Sequence, residues 1–227
     1  MIYSTFFSTY KRSILLCCAF LGMLTVQAQE QATKETVQTG WFNGMTLGLD
    51  VSGPASLLIN GSGTGAVKMD VNVRNKYFPT IELGRAKWDK TNDLAHRFQT
   101  VGNFAKIGLN LPISIKGDRA ENAFLAGIHY GYSRFSYDID NILLDNYWGS
   151  TALRLQDETA RVGWLELSLG VRVRAFGPIG LGWTFQYKRS LHQKNGSHSV
   201  PSYIPGYGQN TKPSAGIQAF IYIPLFP

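Results

Sequence analysis

The sequence is short of cysteine and of charge, and each shortage excludes a class of protein. Its two cysteines, Cys17 and Cys18, lie in an N-terminal segment that we expect to be removed, so we predict neither a disulfide framework nor a cysteine-based metal site. Charged residues make up 16% of the chain, which disfavours a disordered chain, a coiled coil or a helical bundle. Glycine, with 24 residues, and tyrosine, with 11, are plentiful, and this composition favours β-structure.

The N-terminal segment has the features of a secretory signal peptide. Lys11 and Arg12 precede an apolar stretch over residues 13–24, which is too short to span a bilayer and has the length of a signal core. Val26-Gln27-Ala28 then presents a signal-peptide cleavage site. We predict a signal peptide over residues 1–28 that is cleaved near Ala28, followed by a flexible N-terminal tail over residues 29–40.

Apolar and polar residues alternate along most of the remaining chain, which predicts strands with one apolar and one polar face. The alternation is regular over residues 45–52, 68–74, 105–113, 164–174 and 179–188, and less regular over 80–88, 123–137 and 214–226. In the first of the irregular segments, Arg85 falls on the face of Ile81 and Leu83, which requires a bulge near Gly84 or a change of environment at the strand end. Most of these eight segments are about nine to eleven residues long or slightly longer, which is the length of tilted strands that cross a bilayer.

The connections between the predicted strands alternate between long and short. The long ones cover residues 53–65, 89–103, 138–160 and 189–213, and the short ones cover 75–79, 116–122 and 176–178. In an up-and-down meander all long connections lie at one end, as in outer-membrane barrels. We therefore predict an all-β fold over residues 41–227, an eight-stranded antiparallel up-and-down transmembrane β-barrel.

The polar face is predicted to line the barrel interior, because it combines many glycines with charges of both signs. Small residues suit the crowded interior of an eight-stranded barrel, and buried charges persist only when they are paired. Aromatic residues also cluster in two bands near the strand ends, as membrane girdles do. The predicted lumenal network comprises Asp50, Lys68, Asp70, Arg74, Glu82, Lys106, His129, Glu166, Arg172, Arg174 and Lys188.

The predicted aromatic bands lie at opposite ends of the strands. Trp41, Phe42, Tyr77, Phe78, Phe124, Phe176 and Phe226 form the band at the short turns, and Trp88, Phe104, Tyr137, Trp164 and Tyr187 form the band near the long connections. Because eight strands leave a lumen filled by side chains, we do not expect an open pore. The long connections are then the predicted binding surface, with Tyr147, Trp148, Tyr203 and Tyr207 as its aromatic contacts.

Three motifs that suggest other chemistry are weak. Residues 61–66 match a dinucleotide-binding glycine pattern, but the following segment predicts a strand instead of the helix that the mechanism requires. His192 and His198 share a loop, yet their spacing lacks a third metal ligand. His96 with Asp93 and Asp89 is the best candidate for a hydrolase site, although a solvated charged loop explains the same residues. We expect no enzyme activity, cofactor, metal, nucleotide or nucleic-acid binding.

Several segments resemble a Bacteroidota family of outer-membrane β-barrel proteins, domain of unknown function 6048. They are GLDVSGP (48–54), IELG (81–84), YGYSRF (130–135), WLE (164–166) and YIPGYG (203–208). The resemblance implies an exported eight-stranded barrel and implies no activity.

The resulting hypothesis is a small, non-enzymatic outer-membrane barrel in contact with membrane lipids. Its loops would bind a partner, such as another envelope protein, or act at the cell surface, and its lumen would be plugged by an ion-pair network. The alternative is a soluble exported barrel that binds an apolar ligand inside. A barrel hydrolase that uses the His96 region is the third hypothesis.

Overall fold

The structure is a computed structural model, and the part that can be described comprises residues 40–91, 97–116, 122–146, 149–196 and 199–226. The predicted signal peptide lies outside these residues, and Gly40 is the one residue of the predicted tail that lies within them. No helix in the described part of the chain is long and apolar enough to cross a membrane.

In the described residues, eight antiparallel strands close into a barrel. They are β1 (Phe42–Asp50), β2 (Gly63–Val73), β3 (Phe78–Thr91), β4 (Arg97–Lys116), β5 (Asn122–Asn146), β6 (Gly149–Phe176), β7 (Ile179–Lys194) and β10 (Ser214–Phe226). A separate small hairpin, β8 (Tyr203–Ile204) and β9 (Gly208–Gln209), lies in the β7–β10 connection. Each barrel strand pairs with its neighbours along the chain, and β10 pairs with β1 to close the ring. The prediction of an eight-stranded, antiparallel, up-and-down all-β fold is confirmed.

The first long connection contains a helix that the sequence analysis did not predict, α1 (Ser52–Asn60). The Asp50 carboxylate accepts hydrogen bonds from the backbone N–H groups of Ser52, at 2.9 Å, and Gly53, at 3.3 Å, which satisfies donors that a helix start leaves unpaired. Gly61 ends the helix with a φ of 66°, a conformation that glycine adopts without strain. The helix therefore precedes the glycine-rich segment and strand β2 follows it, which is the reverse of the order that dinucleotide binding needs.

Two of the predicted long connections are mostly strand. Strands β3 and β4 pair as far as Thr91 and Arg97, and β5 and β6 pair as far as Asn146 and Gly149, so the predicted loops over 89–103 and 138–160 are wrong. Backbone hydrogen bonds hold two polar strands together without an apolar face, and for this reason the loss of alternation did not mark the strand ends.

Strands β4 and β7, which flank β5 and β6, stop pairing with them before β5 and β6 themselves end. The last β4–β5 pair joins Arg97 to Asp140, and the last β6–β7 pair joins Arg161 to Lys194. Strands β5 and β6 therefore continue as a two-stranded ribbon, here called the β5–β6 ribbon, which comprises residues 141–146 and 149–160.

The alternation along each strand separates an apolar outer face from a mixed inner face. Ile107, Leu167 and Ile217 lie on the outer face and are largely exposed, whereas charged residues between the same apolar positions are buried. Arg85 is exposed on the outer face, and β3 pairs with both neighbours there without a register shift. The expected bulge is therefore wrong, and Arg85 lies in the middle of β3 instead of at its end, so of the two explanations only a change of environment along the strand remains.

Candidate functional site

A chain of ion pairs crosses the middle of the barrel interior. Lys106 lies directly opposite Glu82 in the β3–β4 pairing, and its Nζ lies 3.1 Å from Glu82 Oε1 and 3.2 Å from Glu166 Oε2. Lys188 Nζ lies 4.0 Å from the same Glu166 oxygen. All four side chains are buried, so each charge has an opposite charge as compensation for the water that it loses.

A second ionic cluster lies nearer the short turns. The Arg172 guanidinium pairs with the Asp70 carboxylate, which also accepts a hydrogen bond of 2.6 Å from the Thr80 hydroxyl. Asn110 donates to the Thr80 hydroxyl at 2.8 Å. The guanidinium also lies 4.1 Å from the centre of the Tyr222 ring, close enough for a cation–π contact.

His129 and Lys188 connect the ionic layers to their surroundings. His129 Nδ1 lies 3.5 Å from the Ser168 hydroxyl and 4.0 Å from Glu166 Oε1. Lys188 donates a hydrogen bond of 2.9 Å to the backbone carbonyl of Gly206, which belongs to the β7–β10 connection. The charged middle of the barrel is thereby tied to the segment that fills its mouth.

The structure places nine of the eleven predicted network residues in buried positions: Asp50, Lys68, Asp70, Glu82, Lys106, His129, Glu166, Arg172 and Lys188. Asp50 lies at the start of α1 and binds backbone N–H groups there, as described above. Arg74 and Arg174 are exposed at the β2–β3 and β6–β7 turns, so their assignment to the interior is wrong. Both follow the alternation in sequence, but Arg74 lies just beyond the end of β2. Arg174 still belongs to β6 and pairs with Gly180, but it lies beyond Arg172, the last residue of β6 that pairs with β5.

This correction changes the charge balance of the interior. Among the described residues, the buried acids are Asp50, Asp70, Glu82 and Glu166, and the buried bases other than histidine are Lys68, Lys106, Arg172 and Lys188. The four acids match the four bases, whereas the predicted network had two more bases. A balanced interior avoids the cost of burying unpaired charge.

Glycines on one strand make room for large rings on the next. Trp164 lies opposite Gly131 in the β5–β6 pairing, and a methyl group at Gly131 would collide with the indole ring. Tyr222 covers Gly182 and Gly48 in the same way. These close approaches give a physical reason for the glycines on the inner face.

The mouth of the barrel at the long-connection end is filled by an aromatic core, which we call the mouth core. Its buried members are Ala66, Phe98, Phe104, Phe135, Tyr137, Ala160, Val162, Trp164, Ile204 and Tyr207. Ile204 and Tyr207 come from the β8–β9 hairpin and are buried within this core. Trp164 and Tyr207 meet edge to face at 5.8 Å between ring centres, a favourable aromatic geometry.

Tyr203 fastens the hairpin to the barrel wall. Its ring stacks on Trp88 with centres 4.2 Å apart and planes 5° from parallel, and its hydroxyl lies 3.3 Å from that of Thr64. Burial raises the pKa of Tyr203 and also that of Tyr207. Both phenols therefore stay neutral at ordinary pH.

The predicted binding surface on the long connections is wrong for the two tyrosines that can be tested. Tyr207 is 1% exposed, and Tyr203 is stacked on Trp88, so neither is presented to a partner. Large aromatic rings gain more by packing in the mouth than by facing water. Tyr147 and Trp148 lie outside the described residues.

The aromatic band predicted near the long connections is mostly wrong, because Phe104, Tyr137 and Trp164 point into the mouth core and Trp88 packs against it. Of that band, only Tyr187 is exposed. At the other end, Trp41, Phe42, Tyr77, Phe124 and Phe176 are exposed on the outside as predicted, and Phe78 is buried.

The remaining candidate chemistry finds little support. Asp89 is bound by Arg97 through two hydrogen bonds of 2.9 and 2.7 Å and by Gln99 at 2.8 Å, so its carboxylate is already committed. Asp93, His96 and His198 lie outside the described residues.

His192, which was considered together with His198 as a metal ligand, lies on the outer face. Its Nε2 is 3.5 Å from the Tyr130 hydroxyl. Within the described ranges, no three His, Cys, Asp or Glu side chains are grouped so that they could hold a metal ion.

The family assignment rests on a match that covers almost the whole sequence. The model of the family described as Domain of unknown function (DUF6048) matches residues 7–225. The chain belongs to this family. The resemblance to domain of unknown function 6048 is thereby confirmed, and the description of the family names no activity. No match was found among curated proteins or among solved structures.

Proposed function

We propose that this DUF6048 chain is a small outer-membrane β-barrel protein that acts as a non-enzymatic anchor. In this proposal the segment up to Ala28 is a cleaved signal peptide, the barrel wall lies in the lipid bilayer, and the β5–β6 ribbon extends from the surface. The ribbon, and not Tyr203 or Tyr207, is the part available to another envelope protein, and the assignment of Tyr147 and Trp148 to a binding surface stays a prediction.

The observation that carries the proposal is the apolar outer wall. Large apolar side chains are exposed on every barrel strand for which side chains are described, among them Leu49, Val67, Ile81, Leu83, Ile107, Leu111, Ile113, Ile128, Leu165, Leu167, Leu169, Leu181, Trp183, Phe185 and Ile217. A soluble protein rarely exposes an apolar patch larger than a few hundred Å². A lipid environment removes this penalty, and a closed barrel leaves no unpaired strand edge in the wall.

The filled interior supports an anchor over a pore or a carrier of apolar ligands. The middle of the barrel contains paired charges, such as Lys106 with Glu82 at 3.1 Å, and the mouth contains the packed rings of Trp164 and Tyr207. An apolar ligand would have to displace one of these layers. A soluble ligand-binding barrel would instead have its apolar face inside.

A single substitution in the wall tests the proposal. In a bilayer, Ile107→Arg places a charge against lipid and should destabilise the barrel by about 2–4 kcal/mol if the site is near the midplane. On a soluble barrel the same change replaces an exposed side chain and should alter stability by no more than about 0.5 kcal/mol. The matched control is Gln156→Arg, which adds the same charge at an exposed position of the β5–β6 ribbon.

The measurement is the free energy of unfolding of each variant folded into lipid vesicles, together with heat-modifiable migration of the membrane fraction in detergent gels. We expect a large loss for Ile107→Arg and almost none for Gln156→Arg. Recovery of the folded chain in the soluble periplasmic fraction would refute the membrane anchor and favour the soluble barrel.

A further inference from the structure

A row of basic side chains crosses the outer face just beyond the apolar wall. The strand pairings place Arg85 opposite Asn103, Asn103 opposite Arg134, Arg134 opposite Arg161, and Arg161 opposite Lys194. All five residues are exposed. We call Arg85, Arg134, Arg161 and Lys194 the basic row; it contains four bases and no acid over five adjacent strands.

Like charges that face each other directly across a strand pair destabilise a sheet, because side chains in such positions are only about 5 Å apart at Cβ. Three bases face one another directly across adjacent strands in this way: Arg134, Arg161 and Lys194. Among the described residues, no acidic side chain forms an ion pair with any member of the basic row. Within the described part of the chain, the row is therefore a concentration of positive charge without an acidic partner.

Bases farther from the wall behave differently, and the contrast is informative. Arg97 pairs with Asp89 at 2.7 Å, and Arg154 pairs with Asp140 at 2.5 Å. Acidic side chains are thus present at this end of the barrel, but they pair with Arg97 and Arg154 and not with the basic row. As far as the described residues show, the charge of the basic row is available to a ligand.

The surroundings of the basic row are those of a membrane interface. On the outer face of β5 and β6, the positions between the row and the short turns include Tyr132, Tyr130 and Leu165, which are exposed. Tyrosine side chains are enriched where a membrane meets water, and arginine pairs with phosphate through two parallel hydrogen bonds. A lipid whose acyl chains cover this part of the wall would place its headgroup at the height of the row.

From this geometry we propose that the basic row binds the phosphate groups of anionic lipids in the leaflet at the long-connection end. This inference rests on the proposed membrane location and adds a specific ligand class to it. The site would hold a lipid and not a free anion, because the row lies on an open surface and gains its selectivity from the adjoining apolar wall.

The test compares two double variants that remove the same charge from opposite ends of the barrel. Arg134→Gln with Arg161→Gln removes the centre of the basic row, and Arg74→Gln with Lys76→Gln removes two exposed bases at the β2–β3 turn. The full chain, folded in detergent, is titrated with phosphatidylglycerol and separately with phosphatidylcholine. Bound lipid is counted by native mass spectrometry.

We expect the first double variant to bind phosphatidylglycerol about 30-fold more weakly, which corresponds to about 1 kcal/mol for each base removed. Its binding of phosphatidylcholine should not change. The control double variant should bind both lipids as the parent does. Arg134→Lys with Arg161→Lys keeps the charge but loses the paired hydrogen bonds, so its affinity should lie between those of the parent and the glutamine pair. Millimolar inorganic phosphate should not displace the bound lipid.

Several results would overturn the inference. They are unchanged affinity in the first double variant, an equal loss in the control, and displacement of the lipid by inorganic phosphate, which would indicate a free-anion site. Heat-modifiable migration shows whether each variant is folded; if the glutamine pair does not fold, Arg161→Gln alone should still weaken binding about fivefold. Because the titration is done in detergent, its failure is distinct from a failure of the Ile107→Arg test in vesicles.

Discussion

The middle of the barrel and its mouth both contain buried side chains, but the chemistry of the two layers differs. In the middle, Glu82, Lys106, Glu166 and Lys188 satisfy one another as ions. In the mouth, apolar and aromatic rings fill the space, and part of the filling comes from the β8–β9 hairpin. The first layer is built by the strands alone, whereas the second needs a connection to fold back into the barrel.

This difference suggests that the two layers fail in different ways. Removal of one ion from the middle leaves opposite charges buried without compensation, and the penalty is large. A change in the mouth removes packing that the neighbouring side chains can partly replace. Substitutions in each layer can therefore test whether the assignment of the layers is right.

The largest effect is expected at Glu166. Glu166→Leu leaves Lys188 without its acid and Lys106 with only one, and should lower the free energy of unfolding by about 3–5 kcal/mol. Adding Lys188→Met to this variant removes the uncompensated base and should recover part of the loss. Guanidinium unfolding of the detergent-folded chain measures both changes. An unaltered unfolding midpoint for Glu166→Leu would contradict the buried ionic layer.

A smaller effect is expected where a strand makes room for the mouth core. Gly131→Ala would push a methyl group into the Trp164 ring, and overpacking of this kind costs about 1–3 kcal/mol. Gly65→Ala is the matched control, because nothing lies within 4 Å of a Cβ there. The same unfolding measurement should separate the two alanine variants. Equal stability would show that Trp164 is not confined against β5.

The two layers also differ in how far they could be predicted from sequence. Glu82 and Lys106 were assigned to the interior because side-chain direction along a strand has a period of two. Tyr203 and Tyr207 were assigned to an exposed surface because a connection has no such period, and its direction depends on what it packs against. The apolar segment around Ile204 was the one available sign of an inward fold.

The sequence also predicted the ends of strands poorly, for a related reason. Arg172 and Arg174 have the same parity in sequence, but Arg172 pairs with Asp70 inside, whereas Arg174 is exposed and its Nε donates to the Gly177 carbonyl at the β6–β7 turn. Arg174 still pairs with β7 but lies beyond the last residue of β6 that pairs with β5, and alternation carries no information about where the pairing with one neighbour stops. The helix α1 was missed because its nine residues show no helical period.

The attachment of the hairpin to the wall can be tested at Tyr203. Tyr203→Leu keeps an apolar side chain but removes the stack on Trp88, which is worth about 0.5–1.5 kcal/mol beyond buried area. Tyr203→Phe keeps the stack and removes only the contact with the Thr64 hydroxyl, so it should be the milder change. Tryptophan fluorescence during unfolding should report the loss of the stack. If the phenylalanine variant is the less stable one, the hydroxyl contact holds the hairpin and the stack does not.

The smallest effect is expected at Arg74, and it bears on the boundary of the ionic layer. Arg74 is exposed at the β2–β3 turn with a φ of 54°, so Arg74→Gln removes a charge that no buried acid requires. The free energy of unfolding should change by no more than about 0.5 kcal/mol. Arg74 was predicted to lie in the same network as Glu166, and the two variants therefore compare a residue outside the ionic layer with one inside it. If Arg74→Gln lowered the free energy of unfolding as much as Glu166→Leu does, Arg74 would have to lie in the interior. The four buried acids would then be outnumbered by bases.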